Sequence, residues 1–337
     1  MIHRPGNYAL PIFFVLTFAF FCWVAPRFAT ASNLEALMAG YAFIAIVAMG
    51  ESFTILLRGI DLSVGAVLAL AGMVAFDASL ILHLPGYLAI PLAIVAAALA
   101  GALNGALIVF LRLQPFIATL ASLAAYRGLV FAISGRQLIP ELSTTPLTDP
   151  WIVGLETYFD VGAAAGVDHI PLPAIPLSFI VMGALLLLFE VLLRSTRFGR
   201  DLYAIGGNPE AARLAGIDLR RTILIGYAMS GFCAGVAALL LVARLTTSTE
   251  ALGNGMELTA IAAAVVGGVR LNGGVGSMWG PVVGTFLLGA VLMGLTLLGV
   301  SQFVQQILTG AILLAAIAHN RWLQARHQVR LAATAAS

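Results

Sequence analysis

Residues Arg194–Arg221 read RSTRFGRDLYAIGGNPEAARLAGIDLRR, the longest polar and charged interruption in an otherwise apolar chain. This stretch carries six of the seventeen arginines. Inside it the letters predict a short helix with both ends marked. Asn208 is a good N-cap, Pro209 suits the first helical position because its missing N–H would be unpaired there, and Glu210 sets negative charge at the positive end of the helix dipole. Gly216 supplies a left-handed stop. Between them Ala211, Leu214 and Ala215 recur at i, i+3 and i+4, one apolar stripe with Arg213 off it. About seven residues cannot hold a helix in water without something to pack against. The segment therefore reads as a docking element whose groove belongs to the rest of the chain or to another protein; an ordinary surface helix is the bland alternative.

Composition sets the class of everything around this stretch. Of 337 residues, 61% are hydrophobic and 9% charged, and the mean hydropathy is +1.03. Soluble domains carry roughly 25% charged residues, so this is an all-α membrane protein. A net charge of +2 spread over short loops gives no sign of a nucleic-acid partner. Cys22 and Cys233 both fall in apolar runs, where a thiol behaves as a small hydrophobe. The sequence contains no lysine. A Walker-type phosphate loop and a Schiff-base enzyme each need one, so no cofactor is expected on this chain; any ATP must be held by a partner.

Apolar runs of about 20 residues are long enough to span the hydrocarbon core. Ten are expected: Tyr8–Ala25, Leu34–Leu57, Leu62–Leu82, Tyr87–Leu111, Phe116–Ile133, Ala174–Leu193, Thr222–Ala243, Met256–Val269, Met278–Gly299 and Phe303–His319. The first resembles a secretory signal, with Ala29-Thr30-Ala31 as a small-x-small site, but the spans that follow favour a retained helix. Met256–Val269 is short for a full crossing. With the N-terminus inside, thirteen arginines are cytoplasmic, at positions 4, 58, 112, 194, 197, 200, 213, 220, 221, 270, 321, 326 and 330. Arg27, Arg136 and Arg244 face outward and Arg127 lies within a span. Basic residues collect in the cytoplasm, which predicts N-in, C-in, a cytoplasmic Arg194–Arg221 loop and an external Ser134–Pro173 segment.

The chain divides into two pseudo-repeated halves. Gly59–Gly65 in the first and Asn272–Ser277 in the second are glycine-rich breaks that lead into apolar helices. Breaks at corresponding places in two halves point to a transporter's substrate path, and broken backbone in a membrane is tolerated where it lines a cavity or is buried in protein. Tight turns between hairpin helices at the surface are the simpler reading.

Intramembrane polar residues supply the pathway candidates, because a charge in hydrocarbon is costly and turns inward. Glu51 lies six residues from the end of its span, about 9 Å at helical rise; a pathway or helix-pairing role competes with snorkelling. Asp61, two residues before Ser63, could cap the next helix and also gate. Asn104, among small residues in GALNG, suits interhelical hydrogen bonding or substrate contact. Thr119 and Arg127, eight residues apart, lie near one helical face, with Arg127 expected to snorkel to the outer surface. Asp77 and Glu190 read as interfacial. No enzyme constellation emerges: the five histidines have no metal-ligand spacing, and G-x-S-x-G and H-E-x-x-H are absent.

Four stretches, together with Gly101–Gly105, carry a family resemblance spread over nearly the whole chain. They are Gly59–Gly65 (GIDLSVG), Gln114–Gly128 (QPFIATLASLAAYRG), Arg197–Ile217 (RFGRDLYAIGGNPEAARLAGI) and Glu257–Gly276 (ELTAIAAAVVGGVRLNGGVG). They resemble the permease subunits of bacterial ABC importers for ribose, xylose, galactose and furanose-type sugars. The third stretch is the most specific. The resemblance implies a multi-pass inner-membrane permease whose Asn208–Gly216 segment contacts the ATPase. It further implies two permeases, identical or related, two ATP-binding subunits that hold ATP and Mg, and a periplasmic sugar-binding protein. Ser134–Pro173, longer than usual for the family, is the best candidate for a contact with that binding protein. Departures from the family pattern are Arg58 where a glycine is usual, Glu51 where the residue is uncharged, Ala121 and Thr259. Two other classes stay open: an ion-coupled secondary transporter using Glu51 and Asp61, and a permease of the related branched-chain amino acid importers, against which GIDLSVG argues.

Overall fold

A computed structural model describes residues 9–135, 149–160, 172–315 and 318. The helices are α1 (Ala9–Val24), α2 (Ala31–Leu56), α3 (Val64–Leu80), α4 (Gly86–Phe110), α5 (Pro115–Ser134) and α6 (Pro150–Val153). Two-residue strands β1 (Tyr158–Phe159) and β2 (Ile175–Pro176) pair antiparallel, Tyr158 opposite Pro176 and Phe159 opposite Ile175. Then come α7 (Leu177–Ser195), α8 (Arg197–Gly207), α9 (Pro209–Leu214), α10 (Leu219–Leu245), α11 (Met256–Val266), α12 (Trp279–Leu297) and α13 (Gln302–Ala315). Each of the ten apolar runs is helical over most of its described length. Six helices, α2, α4, α5, α7, α10 and α12, are long and apolar enough to cross a membrane; α1, α3, α11 and α13 are shorter apolar helices. Much of Ser134–Pro173 and the tail beyond His319 lie outside the described residues.

Local chemistry explains most boundaries. Prolines occupy the first helical position of α5, α6 and α9, where no N–H is required. Asp149, Thr196, Asn208 and Asp218 cap α6, α8, α9 and α10 through side-chain oxygens.

The core is built on α2 and α10. From Ala42 to Leu56, α2 is buried without interruption except at Ile44, and α10 packs against α2, α3 and α4. Helices approach this closely because small residues face one another. A Cβ at Gly101 of α4 would stand 2.2 Å from the Tyr227 carbonyl oxygen, and one at Gly231 of α10 would stand 2.2 Å from that of Ala97. The α11–α12 pair is equally tight at Gly267 and Gly280. Phe21 and Phe28 pack with Ala290 to seat α1 against α12.

The halves correspond in packing. In the first, α2 ends, the chain turns, and α3 leaves to pack on α4, α5 and α10; in the second, α10 ends, the chain turns, and α11 leaves to pack on α12 and α2. Each short helix thus leans on the long helix of the other half. This corrects one expectation. The counterpart of the Gly59–Gly65 break is the Thr246–Gly255 turn, whereas Asn272–Ser277 is the turn of the tight α11–α12 hairpin. Glycine content alone does not distinguish a hairpin turn from a break where the chain changes partners.

Candidate functional site

Two short helices begin beside one another in the interior. The backbones of Gly65, in the first turn of α3, and Gly253, just before α11, touch: a Cβ at Gly65 would stand 2.3 Å from the Gly253 carbonyl oxygen. Short helices starting face to face inside a bundle are the arrangement in which transporters place solute sites.

Around this meeting point the polar side chains converge. Asp61 accepts through Oδ1 from Ser63 N at 3.0 Å, from Ser63 Oγ at 2.6 Å and from Asn104 Nδ2 at 3.4 Å. Its Oδ2 accepts from Ser230 Oγ of α10 at 3.0 Å. Four donors are what a buried carboxylate requires. Asp61 therefore does not cap α3 as expected; it organises the turn before the helix and ties α4 and α10 to it. Asn104 donates at 2.7 Å to Ser63 Oγ, and its Oδ1 accepts from the Tyr126 hydroxyl at 3.3 Å. Asn104 is thus an interhelical link. Thr119 of α5 donates to the Ile60 carbonyl at 3.1 Å and to carbonyls of its own first turn.

Glu51 is fully buried, which overturns snorkelling. Its Oε1 accepts from the Asp61 backbone N at 2.9 Å, while its Oε2 has no partner among the described residues. Asp61 and Glu257 both act on it electrostatically. Tyr227, also buried, has its hydroxyl without a partner among the described residues, as does Glu257 Oε2. The junction therefore combines a satisfied carboxylate with three buried polar atoms that could receive hydroxyl groups. Arg127 departs from expectation too. Instead of snorkelling it is half-buried and donates through Nη1 to the carbonyls of Glu250 and Leu252, the latter at 2.9 Å, pinning the turn before α11 to α5.

A second cluster sits where α2 ends. Gly274 N, in the α11–α12 turn, donates to the Leu56 carbonyl at 3.0 Å, and Tyr203 of α8 donates to the Gly276 carbonyl at 2.7 Å. Burial, with Glu190 adding to it, pushes the Tyr203 phenol up to about 12, so it remains a donor. Glu190 is itself buried, paired with Arg194 and accepting from Met278 N at 2.9 Å, so it ties α7 to the start of α12. Arg58 reaches the end of α8, donating from Nε to Gly206 O at 2.7 Å and from Nη2 to Gly207 O.

The next residue is Asn208, and here the predicted helix stands as read. Asn208 Oδ1 accepts from Glu210 N and Ala211 N, both at 3.1 Å, and Gly216 adopts the left-handed conformation at φ +80°. The side chain turned into the protein is Ala212; Leu214, at 77% exposure, and the Glu210–Arg213 ion pair face outward. Arg213 holds the Glu210 carboxyl below its ordinary range, by hydrogen bond and then by charge. The apolar stripe of Ala211, Leu214 and Ala215 is thus exposed. The preceding helix α8 was not anticipated, because its single turn of apolar letters is diluted by arginine and glycine.

A polar junction enclosed by long apolar helices, with an outward-facing capped helix beside it, is permease architecture, and the sequence comparisons agree. The family model described as branched-chain amino acid transport system / permease component matches residues 33–317. The chain belongs to this permease family. It is similar to the D-allose transport system permease protein of Escherichia coli K12, 35% identical over 94% of both chains. It is also similar to the L-arabinose transport system permease protein of that strain, 36% identical over 94% of this chain and 91% of the relative. The ribose import permease protein of Bacillus subtilis is 38% identical over 88% and 87% respectively. No solved structure matches the chain. This permease is a transport component, not an enzyme, and a multi-pass protein of the bacterial inner membrane.

Sequence reasoning missed Ser230, Tyr227, Tyr126, Gly253 and Glu257. Tyr126, one residue before Arg127, shared its helical run with a residue already singled out; the others lie on α10 and at the start of α11, which contributed no charged residue deep in a span.

Proposed function

We propose that this permease is the membrane subunit of an ATP-binding cassette importer that carries a simple sugar inward by alternating access. The observation that carries the reading is the Asn208–Gly216 helix: capped at both ends, held to the body through Ala212, and presenting Leu214 outward. Such a helix needs a groove, and a cytoplasmic ATPase subunit holding ATP and Mg is the partner that fits an importer. Three relatives are named for allose, arabinose and ribose, which supports a sugar as cargo. The junction favours this choice physically. Acids at the α3 and α11 N-termini offset the positive ends of those helices, leaving acceptors for hydroxyl groups and repelling a carboxylate.

In this reading the chain crosses ten times with both termini in the cytoplasm, the arginine distribution being the support. Two permeases pair, a periplasmic sugar-binding protein docks on the external face, and closure of the ATPases pushes α9. The two breaks then repack so that the junction opens to the other side. Glu51, Asp61, Ser63, Asn104, Thr119 and Arg127 line or gate that path.

The test is reconstitution of the permease with its ATPase and binding protein in vesicles, scoring ATP-dependent uptake of D-ribose, D-allose and L-arabinose. The family description also names branched-chain amino acids, so L-leucine belongs in the same assay. Uptake of a sugar that disappears when Pro209–Ala215 is deleted supports the reading. Uptake driven by an ion gradient without ATPase, uptake of leucine alone, or a deletion that leaves transport intact would each overturn it.

A further inference from the structure

The residue that joins the two clusters is Arg58. It stands in the turn after α2 at φ +65°, a left-handed conformation that is unfavourable for a residue with a Cβ. Something must hold it there. Its guanidinium donates twice, from Nε to Gly206 O at 2.7 Å and from Nη2 to Gly207 O, the final two carbonyls of α8. Those carbonyls form the negative end of the helix, and a planar fork matches two adjacent acceptors where an ammonium offers only a point charge.

The surroundings leave no slack. A Cβ at Gly206 would stand 2.0 Å from the Leu56 carbonyl oxygen and 2.3 Å from Gly274 N, and one at Gly273 would stand 2.5 Å from Arg58 Cγ. The end of α8, the end of α2 and the α11–α12 turn therefore touch through their backbones, and Arg58, itself exposed, lies over this contact and reaches from the end of α2 to the end of α8. On one side of this contact the chain passes directly from Gly207 into Asn208, the cap of α9. On the other it passes through Gly59, which lies under the Tyr227 hydroxyl, and Ile60, whose carbonyl Thr119 holds, into Asp61.

We propose that Arg58 is the positioning residue that transmits displacement of α9 to the buried Asp61 junction. This rests on the importer reading for the source of the displacement. In this chain, which has Arg58 where a glycine is usual in the family, loss of the fork lets α9 yield locally when pushed, so the junction is repacked less often and less sugar moves per ATP.

Arg58→Gly separates this role from a merely structural one. Glycine is comfortable at φ +65°, so the variant removes the fork while relieving the backbone. Two measurements are made. In the first, hydrogen exchange on the permease alone in lipid nanodiscs, amides of residues 206–215 are expected to exchange about tenfold faster, with α2 and α10 unchanged. In the second, the reconstituted complex, D-ribose, D-allose or L-arabinose moved per ATP hydrolysed is expected to fall at least about fivefold while hydrolysis itself continues. Arg58→Lys should lie between glycine and wild type in both. Exchange at 206–215 within about twofold of wild type, or an unchanged sugar-to-ATP ratio, overturns the proposal, as does a lysine variant equal to wild type in both. Should the wild-type complex move none of these sugars, the importer reading fails instead, and the exchange measurement still decides whether Arg58 holds α8 and α9.

Discussion

Gly65 and Gly253 meet backbone to backbone, 188 residues apart: a Cβ on the first would stand 2.3 Å from the other's carbonyl oxygen, and a Cβ on the second 2.6 Å from the first's. This contact holds the starts of α3 and α11 together. Gly65→Ala should push them apart and cost about 1–3 kcal/mol, the range for overpacking a tight site. Gly253→Ala should cost more, because its φ of +74° adds backbone strain to the clash. Thermal melts of the two variants in detergent check both the loss and its order.

Asp61 Oδ2 accepts from Ser230 Oγ at 3.0 Å, the single hydrogen bond from α10 into the first break among the described residues. Ser230→Ala should cost about 1 kcal/mol, since Asp61 retains three donors. Asp61→Ala strands those donors in the interior and should cost about 3 kcal/mol or more. The pair should be coupled by about 0.5–3 kcal/mol in a double-mutant cycle on chemical denaturation; additivity would mean that the contact is incidental.

How much of this was legible depends on how local the signal is. The α9 helix was readable because Asn208, Pro209 and Gly216 mark its ends within the segment itself. Glu51 and Asp61 were readable because acids inside apolar runs are conspicuous, although the direct bond from Asp61 N to Glu51 was not. Ser230, Tyr227 and Glu257 enter the site only through the way α10 and α11 pack, and a serine or tyrosine in an apolar run gives no warning of that. The mispaired second break has the same origin. Asn272–Ser277 holds more glycine than Thr246–Gly255, yet only three-dimensional packing shows at which of them the chain changes partners.

Glu51 gives the third prediction. One of its oxygens accepts from Asp61 N at 2.9 Å, the other is unpartnered among the described residues, and two further acids act on it. Glu51→Gln keeps the acceptor and the volume while removing like-charge repulsion, so its melting temperature should equal or exceed that of wild type. Glu51→Ala leaves a cavity and an orphaned buried N–H and should lose about 2–4 kcal/mol. If both variants melt alike, the hydrogen bond to Asp61 contributes nothing.

The last prediction concerns the outward face of α9, where stability and association should separate. Leu214 is 77% exposed, so Leu214→Asp should change folding stability by no more than about 0.5 kcal/mol, the usual range for a surface site. Placing a charge in an apolar groove should nonetheless abolish co-purification of the ATPase subunit. Glu210, on the exposed face of α9, has its folded carboxyl pKa depressed by Arg213, by hydrogen bond and then by charge. The stabilisation from this pair is accordingly complete above the unfolded value and is lost only as pH falls through the depressed one. ATPase association should therefore be flat across about pH 6 to 8 with respect to this pair, and Arg213→Ala should not introduce a new titration there. A pull-down pH series on wild type and Arg213→Ala decides the point, and a transition near neutrality that vanishes in the variant would mean that the pair titrates there, against the depressed Glu210 carboxyl.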